Sequence, residues 1–371
     1  MVRSICQIKA DCFVSRNTEK ITTIMTIKYL STLLITAILF TQVGEQQKKM
    51  VKVTKVAKEN KITITIGNKF FTSFLYPDSL EKPVLYPIAT VEGTIVTRGF
   101  PLNPKPNDPT DHPHHIGIWF NYENVNGLDF WNNSYAIPAN KKSAYGWIKT
   151  DKILETQSGE KGLLSYHANW ENQQNETLLE ETTTLEFSEI GHKRVIDRVT
   201  TLRANTLVTF NDAKDGLLGL RLAHELQIPT DKDQKFTDDK GIVTIVKGGT
   251  DKAANGNYIT SEGKMGDAAW STRAAWCKVF GKMNNDSVSI VIIDHPKNPN
   301  YPTFWHARGY GLFAANPLGE KIFTNGKSAK NLKLAKGESV TFRYRVVIDE
   351  GKNSISEPQI NKFMSDFVKM K

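Results

Sequence analysis

The stretch KITITIGNKFFTSFLY, residues 61–76, constrains the fold more than any other part of the chain. Ile62, Ile64 and Ile66 alternate with polar residues, Gly67-Asn68 interrupts them, and an aromatic run follows. Alternation with a period of two places one set of side chains on one face of a strand, and a Gly-Asn pair supplies the positive φ angles of a tight hairpin turn. The same grammar recurs in GLLSYHANW, TLLEETTTLEFSE, KRVIDRVTTLRA, LLGLRLAHELQIP, GIVTIVK, SVSIVIID and ESVTFRYRVVID. Glycine, proline and Asn/Asp turns separate these runs. Only Asp267–Ala275 and the tail PQINKFMSDFVKM read as helical, the tail with Ile360, Phe363 and Phe367 on one face.

Strands without intervening helices predict packed antiparallel sheets rather than βαβ units. The expected fold is all-β, a large antiparallel sandwich of the galactose-mutarotase-like kind, with ligand held on a concave sheet face. The 371 residues, 39% hydrophobic, are ample for such a core. No strong linker divides residues 51–371, which read as one catalytic domain, with the tail helix capping the sandwich. Ahead of it, an apolar run from Tyr29 to Val43 follows Lys28 and has the layout of a secretory signal peptide over residues 25–44. Residues 1–24 are patternless and read as an over-extended start. The mature protein is therefore expected in the periplasm or outside the cell, with no membrane span. Cys6 and Cys12 precede the leader, and Cys277 alone cannot close an internal disulfide. Of the net charge of +9, +6 stays with the chain beyond residue 44. That balance suits an acidic partner such as a uronate-bearing saccharide. The lysines are scattered and no nucleic-acid motif accompanies them, so no nucleic acid is expected.

Three stretches carry chemistry. DHPHHIGIWFNYENVNGLDFW, residues 111–131, holds Asp111, His112, His114 and His115, followed by Trp119, Asn121, Tyr122 and Trp131. RLAHE holds Arg221, His224 and Glu225. FWHARGYG holds Trp305, His306, Arg308 and Tyr310. Arg98, in TVEGTIVTRGF, adds a fourth element. On a strand His112 and His114 share a face, so with Glu225 they can offer ligands to one divalent metal ion, although the fixed spacing of known zinc motifs is missing. Histidine also moves protons near neutral pH, which makes His114, His115, His224 and His306 candidate acids and bases beside Tyr122 and Tyr310. Arg98 and Arg308 can pair with a carboxylate. Trp119, Trp131 and Trp305 can stack on a pyranose while Asn121 reaches its hydroxyls, the alternative for the tryptophans being core packing. No nucleophile elbow and no phosphate-binding glycine loop are present.

Through DHPHHIGIWFNYENVNGLDFWNN and FWHARGYGLFAANPLG, the chain from Ile62 to Asp349 resembles a secreted bacterial family of unknown function labelled "PmoA-like". The resemblance implies a part in polysaccharide breakdown and, more narrowly, elimination of water from uronic-acid oligosaccharides. Asp111, His112, His114, His115, Trp305, His306 and Arg308 match its motifs. The expected function is a carbohydrate-active dehydratase acting on the non-reducing-end uronate of acidic oligosaccharides. The alternatives are a glycoside hydrolase or epimerase using Asp111, Asp129 and Glu225, or a protein that only binds sugar.

Overall fold

Gly67 and Asn68 both adopt positive φ, 56° and 65°, and join two antiparallel strands. This hairpin opens the first of two large sheets in a computed structural model of the protein, which describes residues 49–105, 108–237, 243–250 and 252–370. The described residues belong to one unit, Lys49–Lys371. The segments read as a leader and an over-extended start, residues 1–44, lie outside the described residues. In spatial order the first sheet runs β1 (Val51–Lys55), β2 (Lys61–Ile66), β3 (Lys69–Leu75), β4 (Val84–Leu85), β5 (Ile118–Tyr122), β11 (Gly216–Arg221), β18 (Leu312–Asn316) and β17 (Phe304–Arg308). The second runs β14 (Asn257–Thr260), β15 (Trp276–Met283), β16 (Asp286–Asp294), β20 (Ser339–Gly351), β9 (Lys193–Ala204), β8 (Thr177–Ile190), β7 (Gly162–Glu171) and β6 (Trp147–Gln157). Two ribbons, β10 (Val208–Phe210) with β19 (Leu332–Leu334) and β12 (Gln234–Thr237) with β13 (Val243–Val246), complete the strands. Neighbours in both large sheets pair antiparallel, so the chain is the all-β sandwich that its alternation predicts.

Side chains of both sheets meet in one core, among them Ile62, Ile64, Phe120, Tyr122, Trp170, Leu220 and Trp305. The tail helix forms as expected. It is α2 (Glu357–Val368), and the shorter α1 is Glu320–Phe323. Ile360, Phe363 and Phe367 pack on Val195, Val291, Ile293 and Val347, covering the outer face of the second sheet. The helix expected over Asp267–Ala275 is only one turn, Gly266–Ala269. Beyond it the backbone is claimed by β17: Ser271 N–H donates to Trp305 O, Trp305 N–H to Thr272 O, and the Trp305 indole to Ala274 O. The strand read through LLGLRLAHELQIP likewise stops at Arg221, and the chain turns at His224–Leu226.

The outer face of the first sheet carries several of the candidate site residues. Register aligns Trp119, Gly219, Ala314 and His306 across β5, β11, β18 and β17. The next row on that face carries Arg221, Leu312 and Arg308. With strands ~4.8 Å apart, Arg221 and Arg308 stand roughly 10 Å from each other on one surface. Gly219 is needed where it is, because a Cβ there would meet the Trp119 ring at 2.4 Å.

Candidate active site

The turn 109–115 crosses this outer face, and buried cations hold it. Arg98, 1% exposed, donates to the carbonyls of Pro109, Asp111, His112 and His115 at 2.6–3.1 Å. Its Nη1 also reaches Asp111 Oδ1 at 3.0 Å, and Arg221 Nη2 reaches the same oxygen at 2.7 Å. The other oxygen, Oδ2, accepts from His112 Nδ1. Burial pushes the Asp111 carboxyl up, but the His112 hydrogen bond and the Arg221 and Arg98 guanidiniums outweigh it and hold the group well below the usual carboxylate range. With Nδ1 committed to a carboxylate, His112 keeps Nε2 as its basic nitrogen. His112 has φ +47°, a left-handed conformation that is uncommon outside glycine. Its side chain is 42% exposed.

Rings stack beside it. The His112 plane lies within 2° of both His115 and Tyr310, with centroids 4.8 and 5.2 Å away. His115 stacks in turn on Trp119 at 5.1 Å. Tyr310 receives the Arg221 guanidinium at 4.9 Å and that of Arg308 at 5.8 Å. Burial pushes the Tyr310 phenol up to about 12, against the pull of Arg221 and Arg308, so it stays protonated at neutral pH. Arg308 also covers Trp270 at 5.6 Å. It makes no ion pair among the described residues, whereas Arg98 and Arg221 both do.

Asp111, His112 and Tyr310 form one side of a cleft of about 420 Å³. Ile228, Pro229, Thr230, Gln234, Lys235, Asp267 and Gly309 complete its lining. The turn 109–115 and Tyr310 thus meet on this sheet face through the His112 stack.

Several residues read as site candidates lie elsewhere. Trp305 is in the core between the sheets, and Tyr122 is there with its hydroxyl accepting from Ala213 N–H, so burial replaces the contact roles read for them. Asn121 is buried and donates to Phe130 O. Trp119 and Trp131 are on the right face but are 0% and 1% exposed and pack on each other. His114 and His115 are 8% and 1% exposed, and burial pushes both well below the ordinary histidine range. His306 is buried too. Its Nδ1 sits 3.3 Å from Asp215 Oδ1, and burial lowers its pKa despite that carboxylate. Arg98 serves the turn rather than the cleft. His224 and Glu225 lie on the turn beyond β11 and do not line the cleft. The metal set His112, His114 and Glu225 does not assemble: among the described residues, no three His, Cys, Asp or Glu side chains gather as a ligand group. Asp129, read as a hydrolytic acid, accepts from the Asn132 backbone and amide instead.

Residues 61–362 match the family described as "Family of unknown function (DUF6807)". The chain belongs to this family. No curated protein matches it. Among solved structures it is similar to the GH36 α-galactosidase AgaB of Geobacillus stearothermophilus, at 11% identity and a TM-score of 0.36, over 82% of this chain and 41% of that one. It is similar to the α-galactosidase of Lactobacillus brevis at 10% identity and 0.34, over 85% and 41%. The heparan sulfate lyase HepC of Pedobacter heparinus gives 10% and 0.31, over 82% and 37%. The chain thus spans about two fifths of the length of these proteins. Among the described residues, no helix of this DUF6807 member is long and apolar enough to cross a membrane.

Proposed function

We propose that this DUF6807 protein is a carbohydrate-active lyase of the dehydratase type, acting in the periplasm on the terminal uronate of acidic oligosaccharides. The observation that carries the reading is Arg308. It is half-buried, lies over the Trp270 and Tyr310 rings, has no ion-pair partner among the described residues and, though not itself in the lining of the cleft, lies against the Tyr310 wall of it.

A proton next to a carboxylate is only weakly acidic until a cation neutralises that carboxylate. Arg308 takes this role. His112 Nε2, with Nδ1 tied to Asp111, accepts the C5 proton. The C4–O bond breaks and its oxygen takes the Tyr310 proton, leaving as water. A C4–C5 double bond forms, and the proton on His112 returns through solvent to Tyr310. Asp111 stays ionised throughout because two guanidiniums share its Oδ1. The base is therefore His112 rather than His114 or His115, whose rings are shut away from the cleft.

The test is incubation of the full chain with oligosaccharides ending in glucuronate, iduronate or galacturonate, followed by mass spectrometry and absorbance near the ultraviolet edge. Loss of one water with rising absorbance is expected. Gain of one water would assign a hydrolase instead, and an unchanged mass for every uronate would overturn the reading.

A further inference from the structure

Arg98 is not the only cation under the turn. Lys82, in the loop between β3 and β4, is 3% exposed, and its Nζ donates to His114 O at 2.8 Å. With the four carbonyls taken by Arg98, five carbonyls of the segment 109–115 are held by two buried cations. They pull from different places: Arg98 holds both ends and the middle, whereas Lys82 holds only His114, whose ring meets His112 and His115 edge-on. Lys82 Nζ makes no ion pair among the described residues. It stands 5.8 Å over the Trp119 ring, which is the floor of the His115 stack.

We propose that Lys82 is a positioning residue for the candidate base: by holding the His114 carbonyl, its ammonium keeps the His112 imidazole in register with His115 and Tyr310. Among the described residues, Glu81, Asp129 and His114 are the titratable groups that act on it. Glu81, on its own loop, is paired with Lys142 at 3.6 Å. Asp129 is occupied by Asn132. On the turn, His114 is neutral at physiological pH because of its burial, and Arg98 and Arg221 lie behind it. Burial pushes Lys82 down to about 8, against the partial support of Glu81 and Asp129. The peg is therefore charged at neutral pH and loses its charge in mildly alkaline solution, where an arginine would keep it. The consequence for turnover rests on the reading of His112 as the base. The placement of the turn does not.

The experiment is a pH titration of tryptophan emission from the full chain, from about pH 6.5 to 9.5, a window that brackets the lysine's depressed range. A transition centred near pH 8 is expected in the wild type. It should vanish in Lys82→Arg, which stays charged, and in Trp119→Phe, which removes the reporter. Lys82→Arg should also protect the turn 109–115 from proteolysis as the wild type does, whereas Lys82→Met should expose it. Persistence of the transition in Lys82→Arg, or no transition at all, would overturn the proposal. If Lys82→Met does not fold, the arginine variant still decides. If no uronate is turned over, the emission result stands by itself. If one is, Lys82→Met should lower kcat and flatten the alkaline limb that Lys82→Arg shifts upward.

Discussion

Among the carboxylates held by a buried arginine that lies over an aromatic ring, Glu181 and Asp111 differ most in their surroundings. Glu181 is between the sheets, with Arg198 at 2.8 Å and the guanidinium 4.8 Å from Phe120. Asp111 is on the outer face, with Arg221 at 2.7 Å and that guanidinium 4.9 Å from Tyr310. The difference is in what the remaining oxygen does. Glu181 is wholly buried, and Tyr166, Thr183 and Trp170 join Arg198 so that both of its oxygens accept from the scaffold. Asp111 concentrates two arginines on Oδ1 and leaves Oδ2 to His112. The first arrangement turns both oxygens to the scaffold. The second keeps one oxygen for a residue that faces the cleft.

The largest effect is expected from breaking the closed arrangement. Glu181→Ala strands Arg198 between the sheets and deprives Tyr166, Thr183 and Trp170 of their acceptor. Removing one partner of a buried pair typically costs about 3–5 kcal/mol. Chemical denaturation should show a loss of that order, and a loss under about 1 kcal/mol would mean that water enters the core network.

The open arrangement predicts the opposite pattern. His112→Ala removes a side chain that is 42% exposed together with one hydrogen bond to Asp111, so the stability loss should stay well below that of Glu181→Ala. Losing the proton acceptor should slow dehydration ~100-fold or more. His115→Ala and His306→Ala reverse this, because their rings are 1% and 2% exposed and leave packing defects. A variant of His115 that keeps its stability and loses only its rate would move the site inward from the cleft.

Much of this was legible in the sequence, and the reason is periodicity. The hairpin at Gly67-Asn68, the long strands β7, β8 and β9 and the apolar face of α2 each repeat a local pattern that directly sets which side is buried. DHPHH was visible as a site because so many imidazoles in five residues are unusual. Which of them reaches solvent was not visible, because it is fixed by a left-handed residue and by carbonyl contacts to Arg98 and Lys82, 14 and 32 residues upstream of their partners His112 and His114. The tryptophans misled for a related reason. Trp305 and His306 are adjacent on β17, so one must face the core if the other faces outward. Asp267 and Lys235, which line the cleft, come from a one-turn helix and a ribbon with no motif of their own.

Asp111→Asn tests whether the outer-face pair also supports the fold. The substitution keeps the shape and removes the charge that two guanidiniums share. Hydrogen bonds to charged groups contribute about 1.5–3 kcal/mol each, and the neutral amide retains part of that. A loss near the lower figure is expected at neutral pH. Because the folded Asp111 pKa lies below its ordinary value of 3.8, its contribution is present above that value and is lost as pH falls through the folded pKa. The gap between wild type and Asp111→Asn should therefore stay constant down to about pH 4 and close under stronger acid. A gap that instead closes well above pH 4 would mean that a group other than Asp111 supplies the stabilising charge.

The smallest effect is expected at an exposed pair whose contact distance is as short as a buried one's. Lys161 Nζ and Glu186 Oε1 are 2.6 Å apart, the same separation as Arg345 Nε and Asp197 Oδ1. The second pair is 6% and 3% exposed, is bidentate, and ties α2 to the sheet because Arg345 also donates to Phe363 O. The first is 61% and 23% exposed, so water screens it. Yet the two are neighbours: Glu186 on β8 lies directly across from Asp197 on β9. Lys161→Ala therefore removes a screened attraction and also uncovers Glu186 beside Asp197, a carboxyl that burial already raises despite Arg345. The sum should remain below about 1 kcal/mol, as for other exposed pairs, and should shrink further in high salt. A larger, salt-insensitive loss would mean that Lys161 acts through the buried Arg345–Asp197 pair, and burial rather than contact distance would no longer separate the two classes of ion pair in this sheet.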